Sequence, residues 1–186
     1  MCENFSDVAE SFPALLRPHI LFRSADPMFN PPDALGNPKT IINLRFEPDE
    51  PRFLNCTYIH CPIANKVEKY DSTQEEVRQW LAEVLRQLSV AGTPILIHCR
   101  AGRDRTGIVV AVLLKVLFGD EIADEQITLD YMKSRGRDEE LLEMTLQGLK
   151  CRITKRNTDW MSSYFRKQVI PVDLLKIKFC VHACSV

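Results

Sequence analysis

The stretch HCRAGRDRTG constrains the fold of this chain more than any other part of its sequence. It lies between two apolar runs, residues 93–97 and 108–114. The first run is rich in β-branched residues and predicts a buried strand that ends at Cys99. The second run is apolar on nearly every side and predicts a central buried helix that begins near Arg105 or Thr106. The chain is therefore expected to pass from a buried strand into a buried helix through one tight turn.

This turn is predicted to bind an anion. Gly102 supplies the backbone freedom that a tight turn needs. The first backbone N–H groups of a helix have no partner within the helix, and a curled turn directs them to one point. The helix dipole adds positive potential at the same point. Phosphate or sulfate is the kind of ligand that such a place binds.

The side chains of the turn indicate phosphoryl transfer to sulfur. Cys99 is expected at the floor of the ring of N–H groups, where the positive field favours its thiolate form. Arg105 can hold two phosphate oxygens at once, and Thr106 can offer its hydroxyl to the sulfur. His98 is expected to lie buried beneath the turn and to hold its shape. The alternative is a structural cysteine beside an unrelated basic turn, which leaves three nearby arginines without an anion between them.

The remaining sequence predicts one α/β domain, because strands and helices alternate and 186 residues suffice for one sizeable core. This order implies a parallel sheet. Residues 1–18 are expected to be a mixed, partly helical lead-in, residues 27–38 a loop, and residues 174–186 a peripheral strand or loosely packed tail. The strand candidates are residues 19–22, 40–45, 56–63 and 93–99, and the helix candidates are residues 72–92, 106–118, 124–134 and 138–151. The motif Ser-Thr-Gln-Glu at residues 72–75 has the form of a capping box.

Charge and cysteine usage exclude several functional classes. The net charge of −1 gives no global attraction to nucleic acid or acidic lipid, and no run is long enough to insert in a membrane. Seven cysteines without a CxxC pair, in a chain whose start does not resemble a signal peptide, predict reduced thiols in the cytoplasm or nucleus. His182 and Cys184 lack a second pair of ligands, so no metal or other cofactor is expected.

Cys99 to Gly107 matches the CX5R signature of the cysteine-dependent protein tyrosine phosphatase superfamily. The preceding Leu-Phe-Arg-Ser-Ala at residues 21–25 resembles the small dual-specificity branch, and the Asp-Arg-Thr-Gly ending resembles an atypical subset of it. The resemblance covers residues 19–150, with residues 151–186 as a C-terminal extension of a single phosphatase domain, residues 1–186. It implies a sheet of four or five strands flanked by helices on both faces, a phosphocysteine intermediate and no metal. The residues expected to bind substrate are Arg100, Ala101, Gly102, Arg103, Asp104 and Thr106.

This sequence departs from the family pattern at the position of the general acid. Many relatives carry aspartate where this chain has Asn65, which cannot donate a proton usefully. Asp71, at the edge of the next helix, is the first candidate, and a helix-capping role is its alternative. Asp104, within the turn itself, is the second candidate, and a salt bridge to a neighbouring arginine is its alternative. Glu68 or a water molecule remains as a third.

The substrate class stays open between two kinds of phosphate ester. A phosphoprotein is the first expectation, for a tyrosine or dual-specificity protein phosphatase. Arg100 and Arg103 add positive charge to that of Arg105, which suits a polyanion such as a phosphoinositide or inositol phosphate. A sulfurtransferase and a non-catalytic phosphate-binding module are the further alternatives. Cys56 and Cys61 could protect Cys99 as a disulfide partner, or they are small buried apolar residues.

Overall fold

The computed structural model describes residues 2–53, 55–64, 70–136, 138–150, 164–165 and 168–182. Its strands are β1 (Ser6–Asp7), β2 (Leu21–Ser24), β3 (Thr40–Asn43), β4 (Thr57–His60) and β5 (Ile95–His98). They form one sheet of five strands in the order β1-β2-β5-β3-β4. Only the short edge strand β1 runs antiparallel to its neighbour, and the other pairs are parallel. The predicted parallel α/β sheet of four or five strands is confirmed.

The central strand β5 leads into the turn that begins at Cys99, at one edge of the sheet. All four of its residues are buried, since β2 and β3 flank it and both faces are covered. The pairing register places Ser24 of β2 and Asn43 of β3 beside His98, the last residue of β5. The carboxyl ends of three parallel strands therefore meet where Cys99 begins the turn, which is the usual location of ligand sites in such sheets.

The two faces of the sheet are covered by different kinds of structure. One face, with Ile42 and Ile97, packs against the helices in a single large apolar cluster. The other face buries Leu96 in a smaller cluster that includes Leu35. Leu35 ends a short 3-10 turn (Pro32–Leu35) in the proline-rich segment, and proline disfavours a longer helix there. The helices with described bounds are α1 (Glu75–Val90), α2 (Asp104–Phe118), α3 (Asp124–Tyr131), α4 (Glu139–Lys150) and α5 (Val172–Phe179).

Helix α2 is the central helix of the large cluster. Every residue from Arg105 to Leu117 is buried, which confirms the prediction from its apolar sequence. Its neighbours include α1, α3, α4 and α5, so it is covered by helices as well as by the sheet. Among the helices of the described residues, none combines the length and apolar character needed to cross a bilayer.

The start of α1 differs from the prediction. The helix begins at Glu75, and its N-cap Gln74 makes no side-chain capping bond. The Ser72 hydroxyl instead donates to the carbonyl oxygen of Thr145 in α4, at 2.9 Å. The predicted capping box is therefore wrong, because a tertiary contact to α4 has taken the hydroxyl that would have capped the helix.

The C-terminal part of the chain also differs from the prediction. Residues 174–186 were expected to form a strand or a loose tail, but α5 includes residues 174–179 of this segment and buries Leu175 and Phe179. The Lys178 ammonium donates to the carbonyl oxygens of Leu88 and Ala91, at 2.9 and 2.6 Å. These carbonyl groups lie at the C-terminal end of α1, where they have no N–H donor within the helix. The apparent alternation of the sequence is thus the pattern of a helix docked on α1.

Candidate active site

The phosphate loop (residues 99–105) connects β5 to α2, and Gly102 decides its path. The Gly102 φ angle of 65° lies in the left-handed region, where a side chain is disfavoured. A Cβ atom at this position would also collide with the backbone of Ser24 and Ala25. The loop therefore lies directly against the end of β2, as only glycine allows.

Hydrogen bonds from distant segments hold the carbonyl groups of the phosphate loop. The Asn4 side chain donates to the Ala101 oxygen at 2.8 Å, and the Asp26 backbone N–H donates to the Arg100 oxygen at 3.2 Å. Arg103 is the N-cap residue of α2, and its side chain makes no capping bond. The carbonyl groups of Arg100 and Ala101 are thus occupied by these donors. The N–H groups at the start of α2 have no side-chain acceptor, so they are available to an anion.

A cleft of about 390 Å³ opens in front of the phosphate loop. Cys99 and Arg105 are both lining residues although they are only 4% and 6% exposed. The Arg105 guanidinium donates to the carbonyl oxygen of Leu44, just beyond β3, at 2.9 Å. This bond fixes one edge of the guanidinium and leaves other N–H groups for a ligand. The cleft is lined by Tyr70, Cys99, Arg100, Ala101, Arg103, Asp104, Arg105, Asp138 and Leu141.

Two of the predicted binding residues, Gly102 and Thr106, lie outside the cleft lining. Gly102 is buried against β2 and shapes the loop. The Thr106 hydroxyl is buried in the first turn of α2 and has no hydrogen-bond partner among the described residues. The expected hydrogen bond from Thr106 to the Cys99 sulfur is therefore not formed.

Asp104 lies in the cleft beside the nucleophile candidate. Burial raises the pKa of its carboxyl group, and the charge of Asp138 adds to this shift, while Arg103 opposes it. The Tyr131 hydroxyl lies 3.5 Å from the Asp104 Oδ1 atom and donates to the Asp138 carbonyl at 3.1 Å. An acid must carry its proton before it can donate it, and a raised pKa keeps that proton to a higher pH.

Asp71 is placed differently from Asp104. Its carboxylate accepts hydrogen bonds from the backbone N–H and the hydroxyl of Thr73, both at 2.8 Å. It is absent from the lining of the cleft. These contacts make a local turn before α1, which is the capping-type alternative to the predicted acid role. The other candidates, Asn65 and Glu68, lie outside the described residues.

Tyr70 is a cleft residue that the sequence analysis did not single out. It is only 7% exposed, and its φ angle of 65° is unusual for a bulky residue. Its ring centroid lies 6.2 Å from that of Trp80 in α1. Burial raises the pKa of its phenol, while the positive charge of Arg105 opposes the rise. Strained backbone is often kept at functional sites, but no sequence signal marks it here.

A row of charged side chains beneath the phosphate loop was also not predicted from the sequence. His98 is fully buried, and its Nε2 atom lies 2.8 Å from the Asp49 Oδ2 atom. Asp49 also accepts a hydrogen bond from Arg45 at 2.7 Å, and Arg45 forms an ion pair with Asp26. Burial acts to raise the pKa of Asp49, but His98 and Arg45 together lower it. The only available signal was that Arg45 ends, and Asp49 follows, the strand predicted at residues 40–45.

Cys56 and Cys61 have the character of unreactive thiols. Burial raises the pKa of each to about 11, so both are protonated at neutral pH. Among the described cysteines, Cys2, Cys56, Cys61 and Cys99 are free thiols. These observations favour the interpretation of Cys56 and Cys61 as small buried residues over that of redox partners.

The described residues contain no group of three or more His, Cys, Asp or Glu side chains that could hold a metal ion. His182 is exposed at the end of the described chain, and Cys184 lies outside the described residues. The cleft itself presents a sulfur nucleophile, three arginines and carboxyl groups.

Comparison with protein families identifies one match that spans most of the chain. The family described as "Tyrosine phosphatase family" matches residues 2–174. This match includes the phosphate loop, the three central strands and helices α1 to α4.

Individual relatives are more distant. A 47-residue segment is 47% identical to the triple specificity protein phosphatase PtpB of Mycobacterium tuberculosis, and covers 25% of this chain but only 16% of that protein. The catalytic core of the PP-IP phosphatase SIW14 from S. cerevisiae has a TM-score of 0.55 at 21% identity, over 77% of this chain and 85% of that one. P. aeruginosa TpbA has a TM-score of 0.50 at 22% identity, over 89% and 96%. The two structures show a shared fold.

Proposed function

The chain belongs to the tyrosine phosphatase family, and on that premise we propose that it hydrolyses phosphate monoesters through a phosphocysteine at Cys99. The thiolate attacks phosphorus, the bond to the leaving oxygen breaks, and water then cleaves the phosphorus–sulfur bond to release orthophosphate. The observation that carries the proposal is the cleft in which Cys99 and Arg105 face the uncapped start of α2.

Arg105 and the loop amides supply most of the expected rate acceleration. Phosphate monoester hydrolysis is among the slowest uncatalysed reactions, and a reactive thiolate contributes only part of what is needed. The transferring phosphoryl group spreads its charge over three equatorial oxygens. In the proposed reaction these oxygens bind to the guanidinium, which the Leu44 carbonyl holds in place, and to the N–H groups at the uncapped start of α2.

Two carboxyl groups are candidates for the general acid, and their surroundings favour Asp104 over Asp71. Asp104 lines the cleft with Cys99, and burial raises the pKa of its carboxyl group, which favours the protonated form that an acid needs. The Asp71 carboxylate is occupied by Thr73. We therefore assign proton donation to Asp104 and keep Asp71, the first candidate from the sequence, as the second.

The proposed substrate is a phosphoprotein, which makes the enzyme a tyrosine or dual-specificity protein phosphatase. A second class is favoured by one observation, since the side chains of both Arg100 and Arg103 lie at the cleft. An inositol phosphate or phosphoinositide would place further phosphates against these two guanidinium groups. SIW14, described as a PP-IP phosphatase, shares only the fold with this chain at 21% identity, so the arginines are the stronger argument.

We place this activity in one phosphatase domain, residues 1–186, in the cytoplasm or nucleus. The core expected at residues 19–150 is joined by β1 on one side and by α5 on the other. Leu16 and Cys180 form an isolated β-bridge that brings the two outer segments together. The free thiols of Cys2, Cys56, Cys61 and Cys99 suit a reducing compartment.

An orthophosphate-release screen tests the proposal. Wild-type protein is assayed with phosphotyrosine and phosphoserine peptides, phosphoinositides and soluble inositol phosphates, with Cys99→Ser as the blank. Release by the wild type alone is expected, together with binding of phosphorylated ligand by the Ser variant. Binding without release by the wild type would indicate a phosphate-binding module. Sulfur transfer from thiosulfate to cyanide without phosphate release would indicate a sulfurtransferase.

A further inference from the structure

The histidine that precedes Cys99 has an oxygen atom in front of each of its ring nitrogens. The Nε2 atom lies 2.8 Å from the Asp49 carboxylate, and the Nδ1 atom lies 3.4 Å from the Cys99 carbonyl oxygen. Both oxygens are acceptors, so an imidazole that satisfies both must donate from both nitrogens. A neutral imidazole carries one N–H group and satisfies only one of them. The surroundings of His98 therefore suit the imidazolium form.

The charges around His98 alternate in sign, which supports that form. Asp26 pairs with Arg45, Arg45 pairs with Asp49, and Asp49 contacts His98. With His98 positive, the four charges in this row sum to zero, and each has a neighbour of opposite sign. A buried charge is tolerated only when it is paired in this way.

The other groups next to His98 do not compete for its proton. Its register partners on the flanking strands are Ser24 and Asn43, neither of which titrates near neutral pH. Asn43 donates its side-chain N–H to Asp49 at 3.0 Å, which further holds that carboxylate in place. The pKa of Asp49 is lowered by His98 and Arg45, so its carboxylate is charged at neutral pH. Asp49 is thus the one anion in contact with the imidazole among the described residues.

We propose that Asp49 is a positioning residue of the reaction, which acts on Cys99 through His98. By accepting a hydrogen bond from Nε2, it holds the imidazole beneath the phosphate loop as a doubly protonated cation. The positive charge then lies one residue from the sulfur and stabilises the thiolate form of Cys99. This inference rests on the proposed function, in which that thiolate is the nucleophile.

The pH profile of Cys99 alkylation in Asp49→Asn separates the proposed action through His98 from a direct charge effect of Asp49 on the sulfur. Asp49→Asn removes a negative charge near the sulfur, and the direct effect of that loss would favour the thiolate. The proposed role predicts the opposite, because without its anion the imidazole loses its proton and its positive charge. Alkylation of Cys99 by iodoacetamide, followed by mass mapping across a pH series, reports the thiolate fraction without any turnover. We expect the midpoint of that profile to rise by about one pH unit, a roughly tenfold loss of thiolate below the midpoint.

Glu50→Gln is the matched control, since it makes the same charge change on the neighbouring residue. The Glu50 side chain is 87% exposed, and its ion pair is with Arg52 at 3.4 Å. We expect its alkylation midpoint to match the wild type, and circular dichroism to show all variants folded. In a His98→Gln background, Asp49→Asn should no longer raise the midpoint. A midpoint that is unchanged or lowered in folded Asp49→Asn would overturn the proposal.

The wild-type protein provides a test that needs no variant. Nitrogen-15 spectra of histidine-labelled protein should show His98 protonated on both ring nitrogens at neutral pH, and a single protonated nitrogen would overturn the proposal. The outcome is independent of phosphatase activity. If no ester in the screen releases orthophosphate but the alkylation midpoint still rises in Asp49→Asn, the proposed function fails, while the effect of Asp49 on the Cys99 thiolate through His98 stands.

Discussion

The phosphate loop and the turn before α1 (residues 70–74) meet at the cleft and are held by different kinds of contact. The phosphate loop follows directly from a buried strand into a buried helix, with Gly102 against the end of β2. The turn before α1 is held by remote side chains, since Ser72 bonds to Thr145 and the Tyr164 hydroxyl donates to Ser72.

This difference separates what each segment contributes to the cleft. The phosphate loop brings the anion-binding groups, which lie between two elements adjacent in the sequence and are steadied by backbone contacts with the end of β2. The turn before α1 brings Tyr70, and the remote residues Thr145 and Tyr164 hold this turn through Ser72. We therefore expect substitutions in the phosphate loop to remove chemistry, and substitutions that loosen the turn to affect stability more than chemistry.

The largest effect is expected from Arg105→Lys. Lysine keeps the positive charge but loses the planar fork that can hold two phosphate oxygens and the Leu44 carbonyl together. The turnover number should fall by about 10³-fold, measured with a small aryl phosphate. Arg100→Lys, an exposed position of the same loop, is the control and should stay within about threefold on this substrate. Equal losses in both variants would mean that charge alone matters.

Asp104→Asn and Asp71→Asn compare the two segments directly. If Asp104 is the acid, its variant should lose about 10²-fold or more in turnover of a phosphate ester with a poor leaving group, and little with a good one. Asp71→Asn should then change turnover by only a few fold, because its carboxylate bonds to Thr73. The reverse order would assign proton donation to the turn before α1.

Gly102→Ala tests how tightly the phosphate loop fits. The variant combines a left-handed backbone with a collision against Ser24 and Ala25, and should lose about 2–4 kcal/mol of unfolding free energy in urea titrations. Gly119→Ala is the matched control, because Gly119 has a φ angle of 56° but nothing within 4 Å of the added Cβ. It should lose about 1 kcal/mol. Equal losses would mean that the contact with β2 contributes nothing.

Tyr164→Phe tests the anchor of the turn before α1. The buried hydroxyl donates to the Ser72 carbonyl at 2.7 Å, and its removal leaves that oxygen without this donor. We expect a loss of about 1 kcal/mol in unfolding free energy. The ratio kcat/KM should change less than threefold on an aryl phosphate. A larger kinetic loss at full stability would show that the turn shapes the chemistry.

The smallest effect concerns the pH dependence of stability. Burial raises the folded-state pKa of Asp104, so ionisation of this carboxyl lowers the free energy of unfolding. The protein therefore loses stability as the pH rises from the unfolded-state pKa through the folded-state pKa. The melting temperature of Asp104→Asn should therefore exceed that of the wild type at neutral pH. The difference should vanish in acid, below the pKa of the unfolded chain. A wild type that melts higher at neutral pH would contradict this sign.

Much of the fold was predictable because its signals are local. The apolar runs on either side of the loop predicted β5 and α2, and both are confirmed. The family resemblance carried by residues 99–107 is confirmed by a match over residues 2–174. Helix α5 and the start of α1 were not predicted, because Lys178 and Ser72 form contacts with distant helices that leave no mark in the neighbouring sequence.

The sequence by itself determined the strand, the loop and the helix that place Cys99 and Arg105 in one cleft, because backbone geometry and apolar pattern act over neighbouring residues. Only the tertiary structure decided which groups surround them. It brought Tyr70 into the cleft, Asp49 under His98 and Asp138 near Asp104. These contacts join segments far apart in the chain, so they depend on how the sheet and helices pack together rather than on any local preference.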